Sequence, residues 1–461
     1  LLAVSASSSP LQVVILAAGE GKRMRSARPK VLHPLAGRPL LEHVVAAARS
    51  IGPRAIAVVV GHGGDDVRAA MARFDLTFVT QDPPRGTGDA VRRALHVLPE
   101  DGVTMVLIGD APLVPPAALG RLAQAASRNC LALLTAKVPE PAGLGRVVRD
   151  PYGHVRAIVE ERDATEAQLA IREINAGMLA APTARLARWV AALKNDNAQR
   201  EFYLTDVIAM AAADGLPVEA ILVNDEREVR GVNDRAQLAA LERIVQRRQA
   251  DALATAGATI ADPDRIDIRG TLECGRDVSI DIGCVFEGDV RLADGVAIGP
   301  YCVMRNVTAG AGTRIEAFSH VVDATIGANC RIGPYARLRP GAELAEDVHV
   351  GNFCEIKAST IGARSKVNHL SYVGDSTVGR DVNIGAGTIT CNYDGANKHR
   401  TVIEDDVHIG SDTQLVAPVT VRRGATLGAG TTLTHEAPPD ALTLSRVPQT
   451  SKPGWQRPRK K

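Results

Sequence analysis

The sequence predicts two unlike folds in series: an α/β doubly wound sheet in its first half and a parallel β-helix in its second, joined by one long helix. Three observations carry that prediction. Aliphatic side chains return at every sixth position through much of residues 280–433. Short β-branched runs alternate with amphipathic stretches over residues 11–115. A proline-free stretch rich in Ala, Leu, Arg and Gln separates the two patterns.

The period of six is the sharpest of these. Ile326, Ile332, Leu338, Leu344, Val350 and Ile356 form one run, and Ile403, Ile409, Leu415, Val421, Leu427 and Leu433 a second. An earlier run is Ile280, Phe286, Leu292, Ile298 and Met304. A helix repeats its buried face about every 3.6 residues and a strand about every 2, so neither sustains a strict six. A parallel β-helix does, because each hexad is one short strand and one corner, and three hexads close a coil. At about eighteen residues per coil, residues 260–433 make on the order of ten coils. Cys284, Cys302, Cys330 and Cys354 each fall four residues after a periodic aliphatic, where the repeat otherwise holds Ala, Val or Thr. That spacing marks them as small core residues rather than ligands, and free thiols fit a reduced, cytoplasmic protein.

In the first half, residues 13–17, 55–60, 76–80 and 103–108 read as buried parallel strands, being continuous, short and β-branched. Residues 40–51, 65–73 and 88–98 between them have helical spacing, and such a βαβ alternation places its ligand beyond the strands' carboxyl ends. Residues 130–232 read as mixed, with a hairpin over 146–159. The expected division is a domain over 11–232, a linker helix over 233–257 and a β-helix over 258–446. Disordered ends over 1–10 and 447–461 complete it: the first lacks the basic residues and long apolar run of a signal peptide, and the second closes in a Pro-broken basic tail.

Composition narrows the function. The chain has 461 residues, more than one ordinary core holds. Its 54 basic and 52 acidic residues leave a net charge of +2, so nothing points to nucleic acid or an acidic membrane surface. No run of eighteen apolar residues exists to span a bilayer. Aromatics are only 3%, which suits a narrow aliphatic interior.

Two constellations carry chemistry. The first strand runs into Leu16-Ala17-Ala18-Gly19-Glu20-Gly21-Lys22-Arg23, then Pro29-Lys30. Glycines after a strand turn backbone N–H groups toward phosphate, and Arg23 and Lys30 add the charge a triphosphate needs. Neither the third glycine of a dinucleotide fingerprint nor a P-loop is present. Asp110 follows residues 103–108, so its carboxylate stands at a strand's carboxyl end, where a hard cation binds; a turn residue before proline is the plainer alternative. Asn233 alone reads as the cap of the long helix. In the repeats, the period fails after Ile356 and again over residues 391–400, and breaks in a solenoid map to loops on one side. His369 stands in the first break, with Arg339, Glu355, Lys357, Tyr372 and Asn383 at offsets that neighbouring coils could bring together. Each charge taken singly reads as a solvated outer-face residue.

The glycine-rich segment with Pro29-Lys30-Val31-Leu32, followed by Gln81, Gly86-Thr87-Gly88, Gly109-Asp110-Ala111-Pro112-Leu113, Gly145-Arg146, Val159-Glu160, Glu173-Ile174-Asn175-Ala176-Gly177, Glu201-Phe202-Tyr203-Leu204-Thr205-Asp206 and Gly231-Val232-Asn233, resembles the sugar-1-phosphate nucleotidylyltransferases. Cys354-Glu355-Ile356-Lys357, Asn368-His369-Leu370-Ser371-Tyr372, Asn383-Ile384-Gly385-Ala386-Gly387-Thr388 and Asn392-Tyr393-Asp394-Gly395 extend the likeness through Arg446. The whole resembles the bifunctional N-acetylglucosamine-1-phosphate uridylyltransferase/glucosamine-1-phosphate N-acetyltransferases of bacteria. That resemblance implies a Rossmann-like nucleotidyltransferase domain, a left-handed β-helix of hexapeptide repeats, and a cytoplasmic homotrimer. It implies acetylation of glucosamine 1-phosphate by acetyl-CoA, then Mg²⁺-dependent uridylyl transfer from UTP with release of pyrophosphate. The product, UDP-N-acetylglucosamine, feeds cell-wall and lipopolysaccharide synthesis.

By the same likeness, Leu16, Ala17, Ala18, Gly19, Gln81, Gly86, Thr87, Ile108 and Gly109 would hold the nucleotide. Gly145, Glu160 and Asn175 would hold the amino sugar, Asp110 and Asn233 would hold Mg²⁺, and Arg23 and Lys30 would serve catalysis. His369 would be the general base, oriented by Glu355. Arg339 and Lys357 would grip the sugar phosphate, with Tyr372 and Asn383 on the sugar. Ala386, Asn392, Tyr393, Ser411, Ala429 and Arg446 would contact acetyl-CoA, and Lys398 would come from a neighbouring subunit. Lys22 departs from the family, which usually has Thr there.

Overall fold

Residues 9–460 are described by the computed structural model, so most of the expected leader lies outside the described residues. They divide into two units, one ending at Glu242 and the next beginning at Arg243.

In the first unit the alternation of side chains along each strand serves two cores. Val13, Ile15, Ile56, Val58, Val60, Met105 and Leu107 pack on one side of the sheet. Val14, Ala57, Val59 and Val106 pack on the other. A strand buried on both faces must be apolar throughout, which is why these runs show no polar alternation. Leu40–Arg49 and Pro116–Ser127 cover the first side; Thr87–Leu95, Thr183–Ala192 and Asp206–Ala213 cover the second. The strand order is Val218–Leu222, Leu131–Lys137, Glu173–Pro182, Val103–Ile108, Leu11–Ala17, Ala55–Val60, Thr77–Thr80. Along it only Glu173–Pro182 runs antiparallel to its neighbours, a feature hidden in the stretch read merely as mixed. The expected hairpin is present as Arg146–Arg149 and Val155–Val159. Successive strands step outward from Leu11–Ala17, and then Val103–Ile108 returns to its other side. A crevice therefore opens at the carboxyl ends of these two strands, where Gly109 N–H donates to the Leu16 carbonyl at 2.8 Å.

The long helix is Arg235–Thr255. It is shared between the units rather than free-standing. Glu242 accepts a hydrogen bond from Ala36 N–H at 2.8 Å within the first unit. In the second, Gln246 donates to the Ile268 carbonyl at 2.9 Å and accepts from Ile268 N–H at 2.6 Å. Asp234, not Asn233, caps the helix, accepting from Gln237 N–H at 2.9 Å.

The second unit is a parallel β-helix. One face is an eleven-stranded sheet; a fifteen-stranded sheet begins with long strands such as Ile266–Cys274 and branches into the ladders of the other faces. Every periodic aliphatic named above is at most 4% exposed. The four repeat cysteines are core residues, as their spacing implied: each is at most 1% exposed. Their thiols point to backbone carbonyls, Cys302 Sγ to Glu316 O at 3.2 Å and Cys330 Sγ to Ala345 O at 3.0 Å. Ser and Thr do the same work in other coils: Thr313 and Ser365 hydroxyls donate to the Gly327 and Gly379 carbonyls at 2.7 Å. A corner needs a small side chain that can bond a carbonyl turned inward. Burial pushes the Cys302 thiol up to about 12, so it is no nucleophile. The coil stack continues past the last periodic residue, since Leu442–Thr443 pairs with Thr426–Leu427. Leu442 is largely exposed there, so it leaves no mark on the six-residue pattern. Residues 447–460 are exposed and carry no helix or strand. Among the described residues, no helix is long and apolar enough to cross a membrane.

Ile332→Ala, at a fully buried position, should destabilise the second unit by about 2–4 kcal/mol. The check is a urea titration followed by far-UV circular dichroism and by emission of Trp189, buried in the first unit. The Trp189 transition should stay in place; its moving in parallel would contradict two units that unfold separately.

Candidate active sites

In the first unit, the chain leaving Leu11–Ala17 reaches Gly21 with φ +63°, and a Cβ there would lie 2.7 Å from Lys30 Cβ. Only glycine lets the loop settle onto Lys30. Ala18, Gly19, Lys22, Arg23, Lys30 and Asn233 line a cavity of about 410 Å³. A second cavity, of about 440 Å³, is lined by Arg23, Ile108, Asp110, Gly145, Glu160, Asn175 and Asn233. Arg23 and Asn233 line both, so the two hollows meet at these side chains.

At that junction Lys30 Nζ forms an ion pair with Asp110 and lies 3.4 Å from Asn233 Oδ1. The Lys30 and Asp110 side chains are only 13% and 16% exposed. Val232 N–H donates to the Asp110 carbonyl at 2.9 Å, which ties the two segments together. A carboxylate and an amide oxygen thus converge on one cationic atom, and hard oxygen donors of this kind suit Mg²⁺. Among the described residues, no group of three or more His, Cys, Asp or Glu could hold a metal unaided. Two protein ligands with phosphate and water completing the shell is the arrangement Mg²⁺ favours.

Glu160 forms a wall of the second cavity. Burial pushes its carboxyl up, against a hydrogen bond from the Thr205 hydroxyl at 3.1 Å. Asn175 N–H donates to the Gly145 carbonyl at 2.9 Å, holding these two neighbours together. Leu16, Ala17, Gln81, Gly86, Thr87 and Gly109 do not line the two cavities. Gln81 Nε2 donates to the Gly86 carbonyl and to Asp89 Oδ2, both at 3.0 Å, and Thr87 Oγ1 accepts from Leu204 N–H at 3.1 Å. Lys22 turns to Glu20 at 2.8 Å and is 86% exposed, so its extra charge is answered at the surface.

In the second unit the register of the coils assembles the site. Leu370 N–H donates to Asn352 O, Gly387 N–H to His369 O, Asp412 N–H to Ala386 O and Gly430 N–H to Ser411 O, at 2.7–3.2 Å. Asn352, His369, Ala386, Ser411 and Ala429 therefore stand in one column at one corner. Arg446 Nη2 reaches the Ala429 carbonyl at 3.2 Å at its end. The neighbouring left-handed turn positions hold Tyr301, Phe318, Tyr335 and Phe353, stacked 5.0–5.4 Å apart, then Leu370. Above His369 the equivalent places are Gly387, Asp412 and Gly430, so bulk gives way to a trough.

The expected partner of His369 is corrected. Glu355 bonds Arg339 at 2.8 Å and Arg337 at 3.5 Å. The imidazole instead has Asn352, with Nδ1 and Oδ1 at 2.9 Å. Asn352 escaped sequence reading because an asparagine in a turn is unremarkable; its offset of one coil from His369 was the available signal. Lys357 bonds Asp375 at 3.1 Å, and Asn392 bonds the same carboxylate and the Tyr372 hydroxyl, the latter at 3.4 Å. Lys398, expected from a neighbouring subunit, is already beside Lys357 in its own chain: contact with the Lys357 ammonium pushes the Lys398 ammonium below its usual range. The hook that carries it is pinned by Asp394, which accepts from Ala396 N–H at 2.8 Å and meets His399 at 2.6 Å; Tyr393 on it is 62% exposed. Asn383 stands apart, in the eleven-stranded sheet between Lys366 and His408.

Residues 13–204 match the MobA-like NTP transferase domain. Residues 323–358 match the bacterial transferase hexapeptide repeats, and 400–435 the hexapeptide repeat of succinyl-transferase. The chain is 59% identical over 451 residues to the bifunctional protein GlmU of Cupriavidus pinatubonensis, covering 98% of this chain and 99% of that one. It is 60% identical to that of Ralstonia nicotianae, with 97% and 98% covered, and 58% identical to that of Paraburkholderia phytofirmans, with 98% and 100% covered.

Glu160→Gln should stabilise the first unit at neutral pH. Burial raises the Glu160 pKa above its unfolded value near 4.5, so a penalty on the fold builds as pH rises past about 4.5, is complete above the folded pKa, and is absent at low pH, where both states are protonated. Melting of parent and variant compared at pH 7 and pH 4 checks this; an equal gain at both would rule it out. Asn352→Ala should release His369 from a single tautomer, read from its ¹⁵N imidazole shifts, while unchanged shifts would exclude the contact.

Proposed function

The chain belongs to the family of bifunctional GlmU proteins, and on that premise we propose how its residues divide the work. The protein makes UDP-N-acetylglucosamine by two transfers. It N-acetylates glucosamine 1-phosphate from acetyl-CoA, then transfers uridylyl from UTP to N-acetylglucosamine 1-phosphate and releases pyrophosphate.

In uridylyl transfer, Ala18, Gly19 and Arg23 receive the triphosphate over the loop, with Gln81, Gly86 and Thr87 around the base. Gly145, Glu160 and Asn175 seat the amino sugar. The sugar phosphate attacks the α-phosphorus in line, at the place where the two cavities meet. Asp110 and Asn233 would hold Mg²⁺, which would neutralise phosphate charge. Arg23 and Lys30 meet the charge on the departing pyrophosphate. The observation that carries this reading is the shared lining of both hollows by Arg23 and Asn233.

In acetyl transfer, Asn352 accepts from His369 Nδ1–H and leaves Nε2 bare, the form a general base needs. His369 takes a proton from the sugar's amine as that amine attacks the thioester. Arg339, Lys357 and Lys398 hold the sugar phosphate, and Glu355 and Asp375 keep the first two aimed. Tyr372 and Asn383 take sugar hydroxyls. Ala386, Ser411 and Ala429 floor the trough for acetyl-CoA, with Asn392, Tyr393 and Arg446 at its rim. Asn383 lies on a different sheet from Lys357 and Tyr372. A homotrimer, in which one copy's Asn383 faces another's sugar, accounts for that separation. The seven cysteines are free, in keeping with a cytoplasmic enzyme.

Incubation with glucosamine 1-phosphate, acetyl-CoA, UTP and Mg²⁺, followed by mass spectrometry, should yield the acetylated sugar and then its UDP conjugate. His369→Ala should lose only acetylation, by about 10²-fold or more, and Asp110→Ala only uridylylation. Loss of both activities in either variant would contradict two separate sites.

A further inference from the structure

Next to the acetyl-transfer cluster, one coil earlier, the same sheet holds a group of basic side chains that the proposed reaction does not use. Pairing sets His320 beside Val303 and Arg337, and Arg305 between Glu287 and Val322. Val322, 8% exposed, is short where the column otherwise carries long charged side chains. It floors a recess of about 250 Å³ lined by Arg305, His320, Arg337 and Arg339.

The charges there are unbalanced. Glu287, the acid at its edge, is engaged by Arg269 at 3.1 Å. Arg337 has only a 3.5 Å contact with Glu355, which Arg339 holds more closely at 2.8 Å. Arg305 and His320 make no side-chain hydrogen bond or carboxylate ion pair among the described residues. Burial and then the nearness of Arg337 and Arg305 hold the imidazole of His320 below its usual range, with Glu287 opposing them weakly. Two guanidinium forks and an imidazole around one hollow, with no carboxylate to spare, present the donors that a phosphate dianion accepts.

We propose that Arg305, His320 and Arg337 form a second anion site that takes a phosphomonoester dianion. Arg339 lines both this recess and the sugar-phosphate site, so the two sites adjoin. The choice of a sugar 1-phosphate as occupant rests on the acetyl-transfer reading; the affinity for phosphate does not. Orthophosphate and a sugar 1-phosphate present the same dianion, and size separates them, since the recess admits more than a bare phosphate.

The test is NMR of the full chain labelled at the histidine Cε1, with the His320 signal assigned by its loss in His320→Gln. Orthophosphate should raise the His320 pKa by roughly half a unit or more, and sodium chloride at matched ionic strength should not. Glucosamine 1-phosphate should do so at lower concentration; equal potency would make free phosphate the occupant and leave the site standing. Arg305→Gln should weaken the effect about tenfold, Arg305→Lys should restore part of it, and both should retain the parent's kcat for acetyl transfer. An identical response to chloride, or an unaltered response in Arg305→Gln, would overturn the proposal. A protein that shows the phosphate response but acetylates nothing would refute the acetyl-transfer reading alone.

Discussion

A three-sided coil has room for one branched aliphatic on each side and one small residue at each corner, and the second unit depends on that limit. The interior is packed to solid density, so a coil cannot rotate without driving a side chain into its neighbours. Each strand also bonds the coil before it and the coil after it. The result is a vertical register, in which residues one coil apart stand over each other. His369 meets Asn352 for this reason, and Glu355 meets Arg337 and Arg339. The geometry of the candidate acetyl-transfer site is a by-product of core packing.

The two units solve a common electrostatic problem in the same manner. A phosphate site must keep cations ready, yet bare cations at a half-buried surface repel and draw water. Here Lys30 rests on Asp110, Lys357 on Asp375 and Arg339 on Glu355. A carboxylate so placed balances the charge of the cation. It also stops the side chain from wandering, so a phosphate arriving at either proposed site would meet donors that are already aimed. In the recess beside Arg339, Arg305 has no such carboxylate partner among the described residues, which is what distinguishes it.

The fold was legible wherever one periodicity dominated. Ile326 through Ile356 announced the β-helix because nothing else repeats at six, and the apolar runs at Ala55–Val60 and Val103–Ile108 announced a sheet covered on both faces. The reversed strand Glu173–Pro182 was not legible, since its apolar residues look alike in either direction. Nor was the last strand, Leu442–Thr443, which buries no periodic residue. Among the candidate site residues, Asp110 and His369 were singled out by their positions at a strand end and in a broken repeat. Glu355 was paired with His369 on the family likeness; only the coil register shows that the arginines lie nearer. Asn352 had no sequence signature beyond its offset.

The corner column above His369 has a property of its own. Ala386, Ser411 and Ala429 are one, two and three coil steps from the histidine, each step about 4.8 Å along the stack, or about 14 Å to Ala429. A molecule lying in that trough is measured in whole coils. Adding or removing one coil above the histidine would lengthen or shorten the bed without disturbing His369. The solenoid is thus a ruler with fixed graduations, and His369 sits at its zero.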